Sequence, residues 1–433
     1  MIYDIKYETM ARADMQKLQL TRFQKIVNYA YNNIAFYKNK YDAAGFKPED
    51  LKTLDDIRRI PFVTKKDLRD NYPYGLLAVP RENLLRIHAS SGTSGKPTVV
   101  CYTKNDMEVW TECCARICAA AGITSKDTVQ ISFGYGLFTG ALGMHQGLER
   151  VGAAVIPASS GNTERQVMLL KDLAATGLVA TPSYALYIAE MLEKLGYDLK
   201  DFNLTWGLFG SEASTQEMHN ELRKRLNIET TDNYGLSEII GPGVSGECLM
   251  HTGMHVNEDH FYPEVLDSVT LEPVKELEPG ELVLTTLTKD GMPMIRYMTK
   301  DITSLDYSPC SCGRTTVRME RVTGRTDDML IIRGVNVFPS QVESVLLAIP
   351  EIGGQYEMIV TRENYLDKLE IRVEVLDASL LTDYANLLKL RDKVKQRIKV
   401  VLQIDAEIKL VEPLSLKRFE GKSKRVTDLR NLK

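Results

Sequence analysis

The sequence predicts an α/β fold: a large N-terminal domain of α/β sheets with a β-rich part, then a small C-terminal α+β domain. Strands and helices alternate from residue 84 to about residue 245, which is typical of a mostly parallel sheet covered by helices. Short β-rich segments follow, separated by proline and glycine turns, and beyond Asp327 strands and helices mix again. The length of 433 residues accommodates two or three domains at about 150 residues each.

The elements of the N-terminal part follow from hydrophobic periodicity and capping residues. Apolar residues recur at helical spacing over residues 12–44, and Thr64 is a predicted N-cap before a charged first turn. Residues 84–87 form a predicted strand that enters a loop rich in serine, glycine and threonine. The further predicted strands are 128–133, 153–157, 178–181, 207–210 and 229–233. The further predicted helices are 104–121, 163–175, 184–195 and 215–226.

The C-terminal part of the sequence predicts a change of architecture. Residues 280–286 and 293–297 are predicted β elements. The predicted order after Asp327 is strand 329–332, loop, helix 340–348, strands 358–361 and 369–375, helix 386–400 and strand 406–410. The domain prediction is therefore an N-terminal domain over residues 1–326 and a C-terminal domain over residues 327–433.

Composition excludes several classes of protein. The 54 basic and 58 acidic residues give a net charge of −4, and the lack of a basic excess argues against a nucleic-acid partner. The apolar stretch 117–123 is too short to cross a bilayer, so no membrane partner is expected. Charged residues are mixed through the first fourteen positions, unlike a signal peptide, and a cytoplasmic protein is expected.

Seven cysteines are an odd number, which is not expected of a disulfide framework in a large cytosolic chain. The first four lie on or near an alanine-rich helical segment and are predicted to be small buried apolar residues. These four are Cys101, Cys113, Cys114 and Cys118. The remaining three lie in polar, loop-like surroundings.

Those three cysteines predict a zinc site. Cys310 and Cys312 form a tight pair, and Cys248 lies upstream beside His251 and His255. Three cysteines and one histidine are a common ligand set for structural zinc, and we favour His255 over His251 as the fourth ligand. Free reduced thiols in a loop are the alternative. The other histidines are interpreted as ordinary surface, core or pocket residues, namely His88, His145, His219 and His260.

The glycine-rich loop Ser90–Thr98 is the strongest single signal. Glycines leave backbone N–H groups free to approach phosphates, hydroxyls add donors, and Lys96 supplies a counter-charge. The pattern is not a Walker A loop, because Pro97 follows the lysine where serine or threonine is required. Phosphate binding and a flexible surface turn both remain open from these residues alone. A second glycine-rich loop, 134–140, misplaces the last glycine of a dinucleotide fingerprint and is better interpreted as a strand-to-helix turn.

Five segments resemble, in the same order, the motifs of the adenylate-forming superfamily. They are the Ser90–Thr98 phosphate loop, the Tyr-Gly-x-x-Glu motif at 234–238, the ribose-binding segment 296–301, the hinge motif 324–328 and the Gly-Lys-x-x-Arg end at 421–425. The runs 133–140, 257–261 and 327–339 are similar to the phenylacetate–coenzyme A ligase family almost letter for letter. The departure at Ser94, where threonine is commoner, keeps the hydroxyl donor.

The resemblance implies ATP-dependent ligation of an aryl acid to coenzyme A through an acyl adenylate, with release of AMP and pyrophosphate. Lys422 is then expected to bridge the carboxylate and the α-phosphate, Glu238 to hold Mg²⁺, and Thr93 to act in catalysis. The expected phosphate-binding residues are Ser90, Ser91, Gly92, Thr93, Ser94, Gly95 and Lys96. The expected adenosine-binding residues are Ser211, Glu212, Ala213, Asp232, Asn233, Tyr234, Gly235, Asp301 and Arg325. The neighbouring basic residues Lys417, Arg418 and Lys424 are expected to be solvated.

The acyl pocket and the coenzyme A site are also implied by the resemblance. The expected pocket residues are Tyr135, Gly136, Phe138, Gly140, Ile239, Gly241 and Pro242. A glycine-lined slot with aromatic walls suits an aryl acid, phenylacetate first, better than a fatty acid. Arg333 and Gly334 are expected to approach coenzyme A after the small domain swings about Asp327.

Two other functions stay open at this point. The acyl group of the adenylate could pass to an amine or a carrier protein instead of coenzyme A. A non-catalytic, zinc-stabilised nucleotide sensor requires that Lys422 or Glu238 be idle, and nothing in the sequence indicates such a loss. A homodimer is likewise left open.

Overall fold

The computed structural model describes residues 1–90, 97–333, 335–363, 366–381, 384–419 and 423–430. Its α-helices are α1 (Ile5–Glu8), α2 (Arg12–Asn33), α3 (Ala35–Ala43), α4 (Lys65–Asp70), α5 (Lys104–Ala120), α6 (Gly140–Val151), α7 (Thr163–Asp172), α8 (Pro182–Lys194), α9 (Gln216–Leu226), α10 (Pro339–Leu347) and α11 (Tyr384–Leu402). The first strands are β1 (Leu84–Ala89), β2 (Val99–Thr103), β3 (Thr128–Ile131), β4 (Ala154–Ile156), β5 (Gly177–Ala180), β6 (Trp206–Gly210), β7 (Glu229–Leu236), β8 (Gly241–Glu247), β9 (Met254–Val256), β10 (Phe261–Leu266) and β11 (Gly280–Thr286). The remaining strands are β12 (Tyr297–Thr303), β13 (Leu305–Asp306), β14 (Arg318–Met319), β15 (Gly324–Arg325), β16 (Leu330–Ile332), β17 (Val335–Val337), β18 (Ile352–Glu363), β19 (Leu366–Val375), β20 (Glu407–Val411) and β21 (Val426–Asp428).

Within these ranges, the largest sheet has nine strands in the order β13-β14-β9-β8-β7-β6-β5-β3-β4. The strands from β4 to β7 pair in parallel, which confirms the predicted α/β class. From β7 to β13 the pairing is antiparallel, so the prediction of a mostly parallel sheet holds for only one half. The turn 237–240 explains the reversal, because parallel strands require a much longer crossover connection.

Three further predictions of secondary structure were wrong in part. Residues 12–44 form two helices, because Ile34 is extended and buried and turns α3 away from α2. The segment 293–296 is not a strand, since β12 begins at Tyr297. The predicted loop after residue 332 contains β17, which pairs with β16 as a hairpin.

The C-terminal part has an apolar core of its own. Its sheet has the order β20-β19-β18-β21, with α10 and α11 contributing to the core through Val342 and Val394. The core of the preceding part reaches Val322, whereas the C-terminal core begins at Leu330. The chain therefore passes from one core to the other over residues 323–329, while the exact boundary at Asp327 stays a prediction.

The two parts are joined by specific polar contacts. Arg418 of the C-terminal part forms ion pairs with Glu190 on α8 and with Glu374 on β19, and its side chain is only 12% exposed. The expectation that Arg418 is solvated is therefore wrong: two carboxylates compensate for the loss of water around the guanidinium. Leu347 of α10 also packs against the apolar cluster of α7, α8 and α9.

Burial agrees with the interpretation of the first four cysteines, since all of them are fully buried with free thiols.

No helix in the described residues is long and apolar enough to cross a membrane.

Candidate active site

The glycine-rich loop connects two antiparallel strands, β1 and β2, instead of a strand and a helix. Ala89 pairs with Val99, and the Ser90 amide donates to the Thr98 carbonyl at 2.9 Å. The Thr98 amide donates in turn to Ser90 Oγ at 3.4 Å. The loop residues Ser91, Gly92, Thr93, Ser94, Gly95 and Lys96 lie outside the described residues. Their predicted phosphate contacts therefore stay predictions, while the ends of the loop are fixed by the strand pair.

Tyr234, Asp301 and Arg325 converge from three strands on one cluster. Asp301 on β12 lies opposite Arg325 on β15, whose guanidinium binds Asp301 Oδ1 at 2.7 Å. The Tyr234 hydroxyl, at the end of β7, donates to Asp301 Oδ2 at 2.6 Å. Asp301 is 5% exposed, and this burial raises its pKa although Arg325 acts in the opposite sense. The structure thus brings together the three residues that the resemblance assigns to the ribose and the adenine.

The remaining adenosine-site candidates lie directly after β6 and in the second half of β7, near the carboxyl ends of parallel strands, where ligands commonly bind in α/β sheets. Gly210 pairs with Asn233, which sets residues 211–213 beside Tyr234 and Gly235. The Asn233 amide donates to the Phe209 carbonyl at 2.7 Å, so its side chain ties the two strands together. These contacts hold the two segments side by side.

Asp232 is the candidate whose side chain points into the protein interior. Its carboxylate accepts hydrogen bonds from Ser214 Oγ and His219 Nε2 at 2.8 and 2.9 Å and pairs with Arg321. These partners lower the pKa of Asp232 even though burial acts to raise it. The sequence analysis missed His219 and Arg321, which belong to no local motif and meet Asp232 only in the folded chain.

Glu238 lies in the tight turn between β7 and β8. It is 7% exposed, and within the described residues its carboxylate has no hydrogen-bond or ion-pair partner. A buried carboxylate with free oxygens is suited to a hard divalent cation such as Mg²⁺. Gly235 allows the turn to close, because a Cβ atom there would lie 1.9 Å from the Gly241 carbonyl oxygen.

The acyl-pocket candidates fall into a buried group and an exposed group. Ile239, Gly241 and Pro242 are buried, and the Trp110 indole donates to the Pro242 carbonyl at 2.7 Å. Gly241 has φ +105°, and a Cβ atom there would lie 2.7 Å from Trp110, so only glycine fits. Trp110 therefore contacts both Gly241 and Pro242, two of the buried candidates.

The other acyl-pocket candidates come after β3 in the chain. The Tyr135 hydroxyl lies 3.0 Å from His145 Nδ1, and burial raises the pKa of this tyrosine. Gly136 and Phe138 are exposed, with 46% of Phe138 accessible, and Gly140 begins α6. The sequence analysis missed Trp110 and His145, since each lies in a helix without a recognisable motif.

Cys248, His255, Cys310 and Cys312 converge with all of their ligand atoms within 4.8 Å of one another. The sulfur atoms of Cys248 and Cys310 are 3.8 Å apart, and Cys312 Sγ is 3.4 Å from His255 Nε2. Two thiolates on one tetrahedral zinc ion, each at about 2.3 Å, are separated by about 3.8 Å. The donor set and its spacing therefore fit zinc, whereas His251 lies outside the cluster near Glu229 and Glu247.

The surroundings of the cluster orient its ligands. Thr316 Oγ1 lies 3.1 Å from His255 Nδ1, which directs Nε2 toward the thiols. Burial, with a contribution from nearby arginines, lowers the pKa of His255 to about 3, so the imidazole is neutral, as a metal ligand must be. The Arg314 amide donates to Cys312 Sγ at 3.5 Å.

Ser423, in the C-terminal motif, contacts one of the predicted adenosine-binding residues. The Ser423 amide donates to Glu212 Oε2 at 3.2 Å, and Glu212 Oε1 accepts from the Ser183 amide at 2.8 Å. Lys422 lies outside the described residues, but its neighbour in the chain is held at the segment 211–213. The predicted coenzyme A residue Arg333 donates to the Asp367 carbonyl at 2.8 Å, and Gly334 lies outside the described residues.

Comparison with known proteins identifies the family of this chain. Residues 31–287 match the AMP-binding enzyme family, and residues 334–430 match the AMP-binding enzyme C-terminal domain. Phenylacetate-coenzyme A ligase from Thermus thermophilus is 47% identical, covering 99% of this chain and 100% of the relative. The enzyme of the same name from Escherichia coli is 46% identical over 98% of this chain and 97% of its own.

Solved structures of 2-hydroxyisobutyryl-CoA ligase give the same fold and distinguish two arrangements of it. The postadenylation state with 2-HIB-AMP has a TM-score of 0.94 at 30% identity, covering 99% of this chain and 92% of its own. The thioesterification state with 2-HIB-AMP and CoA has a TM-score of 0.72 at 30% identity, covering 98% of this chain and 92% of its own. The arrangement seen here is thus similar to the postadenylation state. The sequence identity over nearly the full length shows that the chain belongs to the phenylacetate–coenzyme A ligase family of AMP-binding enzymes.

Proposed function

We propose that the protein ligates phenylacetate to coenzyme A at the expense of ATP, through phenylacetyl adenylate, with release of AMP and pyrophosphate. The observation that carries this proposal is the identity of 43–47% with four phenylacetate-coenzyme A ligases over nearly the whole chain. The convergence of Tyr234, Asp301 and Arg325 supports it, because the family's nucleotide-binding motifs meet in one place.

Asp301 is proposed to bind the ribose of ATP. An ionised carboxylate only accepts hydrogen bonds, so its two oxygens suit the two ribose hydroxyls. Tyr234 and Arg325 already bind those oxygens and hold the carboxylate in place. The Tyr234 ring and segment 211–213 would then face the adenine, and the loop that follows Ser90 would hold the β- and γ-phosphates.

Glu238 is proposed to bind Mg²⁺. The ion, when bound, would neutralise charge on the phosphate oxygens. The contribution of the chain is a buried carboxylate on a tight turn next to the acyl-pocket residue Ile239.

In the first half-reaction, a carboxylate oxygen of the acid attacks the α-phosphorus, and the bond from that phosphorus to pyrophosphate breaks. Lys422 is proposed to stabilise the charge that develops between the carboxylate and the α-phosphate. The hydrogen bond from Ser423 to Glu212 supports this role, since it holds the adjacent residue beside the adenosine-binding segment.

In the second half-reaction, the sulfur of coenzyme A attacks the acyl carbonyl and AMP leaves. We propose that the C-terminal domain, residues 327–433, rotates about Asp327 between the two steps and brings Arg333 and Gly334 to coenzyme A. The TM-scores of 0.94 and 0.72 against the two states of 2-hydroxyisobutyryl-CoA ligase support such a rotation.

The preference for an aryl acid is proposed from the wall formed by Ile239, Gly241 and Trp110. These residues are buried, and the glycine cannot be enlarged without a collision with the indole. A pocket bounded by these residues would be narrow, and a flat ring fits a narrow slot better than a flexible alkyl chain does.

The cluster of Cys248, His255, Cys310 and Cys312 is proposed to hold a structural zinc ion. Its ligand spacing supports this, and two ligands are contributed by the loop 310–312, which has few apolar contacts of its own. Zinc would tie this loop to β9 and to the end of β8.

The proposed function is tested by product analysis with phenylacetate, octanoate, ATP and Mg²⁺, with and without coenzyme A. The expected products are phenylacetyl-CoA, AMP and pyrophosphate, with kcat/KM for phenylacetate at least about tenfold above that for octanoate. Equal values for the two acids would refute the aryl preference. Formation of AMP and pyrophosphate with coenzyme A inert, followed by acyl transfer when an amine or a carrier protein is supplied, would establish the alternative.

A further inference from the structure

Two buried side chains bind the backbone carbonyls of the turn that carries Glu238. The Lys289 ammonium donates to the carbonyls of Ile239 and Glu238 at 2.6 and 3.3 Å. The Tyr102 hydroxyl lies 3.0 Å from the Ile240 carbonyl and 3.5 Å from that of Ser237. All four carbonyls of the turn 237–240 therefore face one of these two groups.

The two side chains form one unit. The Lys289 ammonium lies 5.1 Å from the centroid of the Tyr102 ring, in position for a cation–π interaction. Tyr102 also stacks on Trp110 with the ring centroids 4.9 Å apart, and Trp110 contacts the acyl-pocket candidates Gly241 and Pro242. Both Lys289 and Tyr102 are nearly inaccessible, at 3% and 0% exposure.

The backbone around Lys289 is fixed independently of the turn. Asp106 at the start of α5 accepts from the amides of Asp290 and Gly291 at 2.6 and 2.9 Å. The same carboxylate accepts from the Thr103 amide at 2.8 Å. A rigid support thus runs from α5 through residues 289–291 to the turn.

A buried ammonium group carries a desolvation penalty that an apolar side chain at this position would not. Removing the charge from water is unfavourable, and a methionine of similar length would occupy the same space without that cost. In the described part of the chain, every hydrogen bond of the ammonium goes to this turn. Such a group is suited to setting the direction of peptide units, and with them the direction of the Glu238 side chain.

We propose that Lys289 and Tyr102 are positioning residues that fix the turn 237–240 and so aim the Glu238 carboxylate at the metal–nucleotide complex. This inference rests on the proposed function only in assigning Glu238 to Mg²⁺. It assigns to both residues a role that acts through the turn and not through contact with substrate or metal.

The test compares Lys289→Met, Lys289→Gln and Tyr102→Phe with the control Tyr37→Phe. Tyr37 is equally buried, and its hydroxyl donates to the Pro293 carbonyl at 2.9 Å, away from the turn. The first readout is the affinity for Mn²⁺ in the presence of ATP, from electron paramagnetic resonance of the free ion. It requires neither acid nor coenzyme A, so the result does not depend on which acid the wild type uses.

Lys289→Met is expected to weaken Mn²⁺ binding by about 10- to 100-fold, as is typical when a group supporting a metal ligand is lost. Tyr102→Phe should have a smaller effect, Lys289→Gln should recover part of the affinity, and Tyr37→Phe should match the wild type. Adenylation should require correspondingly more Mg²⁺, whereas thioester formation from supplied phenylacetyl adenylate should change by less than about threefold.

Unchanged Mn²⁺ affinity in folded Lys289→Met would overturn the proposal, as would equal losses in both half-reactions or an equal effect of Tyr37→Phe. If Lys289→Met does not fold, Lys289→Gln and Tyr102→Phe decide by the same criteria. Failure of the wild type to make phenylacetyl-CoA refutes the proposed function instead and leaves the Mn²⁺ result to decide this inference.

Discussion

Arg418 and Glu190 form a bidentate ion pair between the two domains, with nitrogen–oxygen distances of 2.8 and 3.2 Å. Glu190 belongs to α8, whereas Arg418 is held within the C-terminal part by Glu374 of β19. Rotation of the small domain must break the pair with Glu190 and can retain the pair with Glu374. The pair therefore stabilises the arrangement in which Ser423 binds Glu212.

Glu190→Gln should slow adenylation by about 3- to 10-fold, because loss of the ion pair shifts the population away from this arrangement. Glu193→Gln is the matched control, since Glu193 lies on the same helix but pairs with Arg225 of the same domain. The measurement is phenylacetate-dependent pyrophosphate release without coenzyme A. Identical rates for the two variants would show that the interdomain pair has no influence on the first step.

Lys422→Ala should slow adenylation by orders of magnitude, because a cation directed at developing charge is removed. Thioester formation from supplied phenylacetyl adenylate should stay nearly intact, since the proposed rotation would withdraw Lys422 before that step. The two half-reactions are measured separately, with Lys417→Ala as the control. Equal damage to both steps would argue against domain alternation in this protein.

Purified protein should contain about one zinc ion per chain, and Cys310→Ser should lose the ion together with thermal stability. His251→Ala should retain zinc, because His251 lies near Glu229 and Glu247 and outside the cluster. Metal content is determined by mass spectrometry and stability by calorimetry. Full zinc occupancy in Cys310→Ser would remove this cysteine from the site.

Glu343 lies at the interface between the domains, and its titration should make the free energy of unfolding depend on pH. It faces Arg425 at 3.9 Å, together with Glu212 and Glu217, and burial raises its pKa from 4.5 to about 7. The folded state therefore binds a proton more tightly than the unfolded chain, and this group's contribution to stability falls as pH rises from about 4.5 to 7.

At pH 8 the free energy of unfolding of Glu343→Gln should accordingly be about 1–3 kcal/mol higher than that of the wild type. At pH 5 the two should differ little. Urea denaturation at the two pH values measures this change. A variant that is destabilised equally at both pH values would show that Glu343 is ionised and paired with Arg425 throughout.

Local signals determined much of the fold. Thr103 caps α5 through the Asp106 amide, and the predicted helix 104–121 differs from Lys104–Ala120 by one residue. The bounds of β11 were predicted without error. By contrast, the antiparallel half of the large sheet and β21 depend on pairing between distant segments, which no local pattern reveals.

The candidate site likewise contains residues that the sequence could predict and residues that only the folded chain reveals. The ligand set of Cys248, Cys310 and Cys312 could be proposed from residue types and spacing, and the structure brings these residues together with His255. Lys289 carried no such signal, because a lone lysine after a strand is ordinarily a surface residue. Its burial against the turn 237–240 exists only in the folded chain.

The most direct test of the central claim is isotope transfer from phenylacetate labelled with ¹⁸O in its carboxylate. If the acid attacks the α-phosphorus and coenzyme A then displaces AMP, one labelled oxygen must appear in AMP and none in pyrophosphate. Mass spectrometry of the nucleotide products after one turnover measures this directly. We expect singly labelled AMP together with phenylacetyl-CoA, whereas unlabelled AMP, or label in inorganic phosphate with formation of ADP, would contradict the acyl-adenylate mechanism.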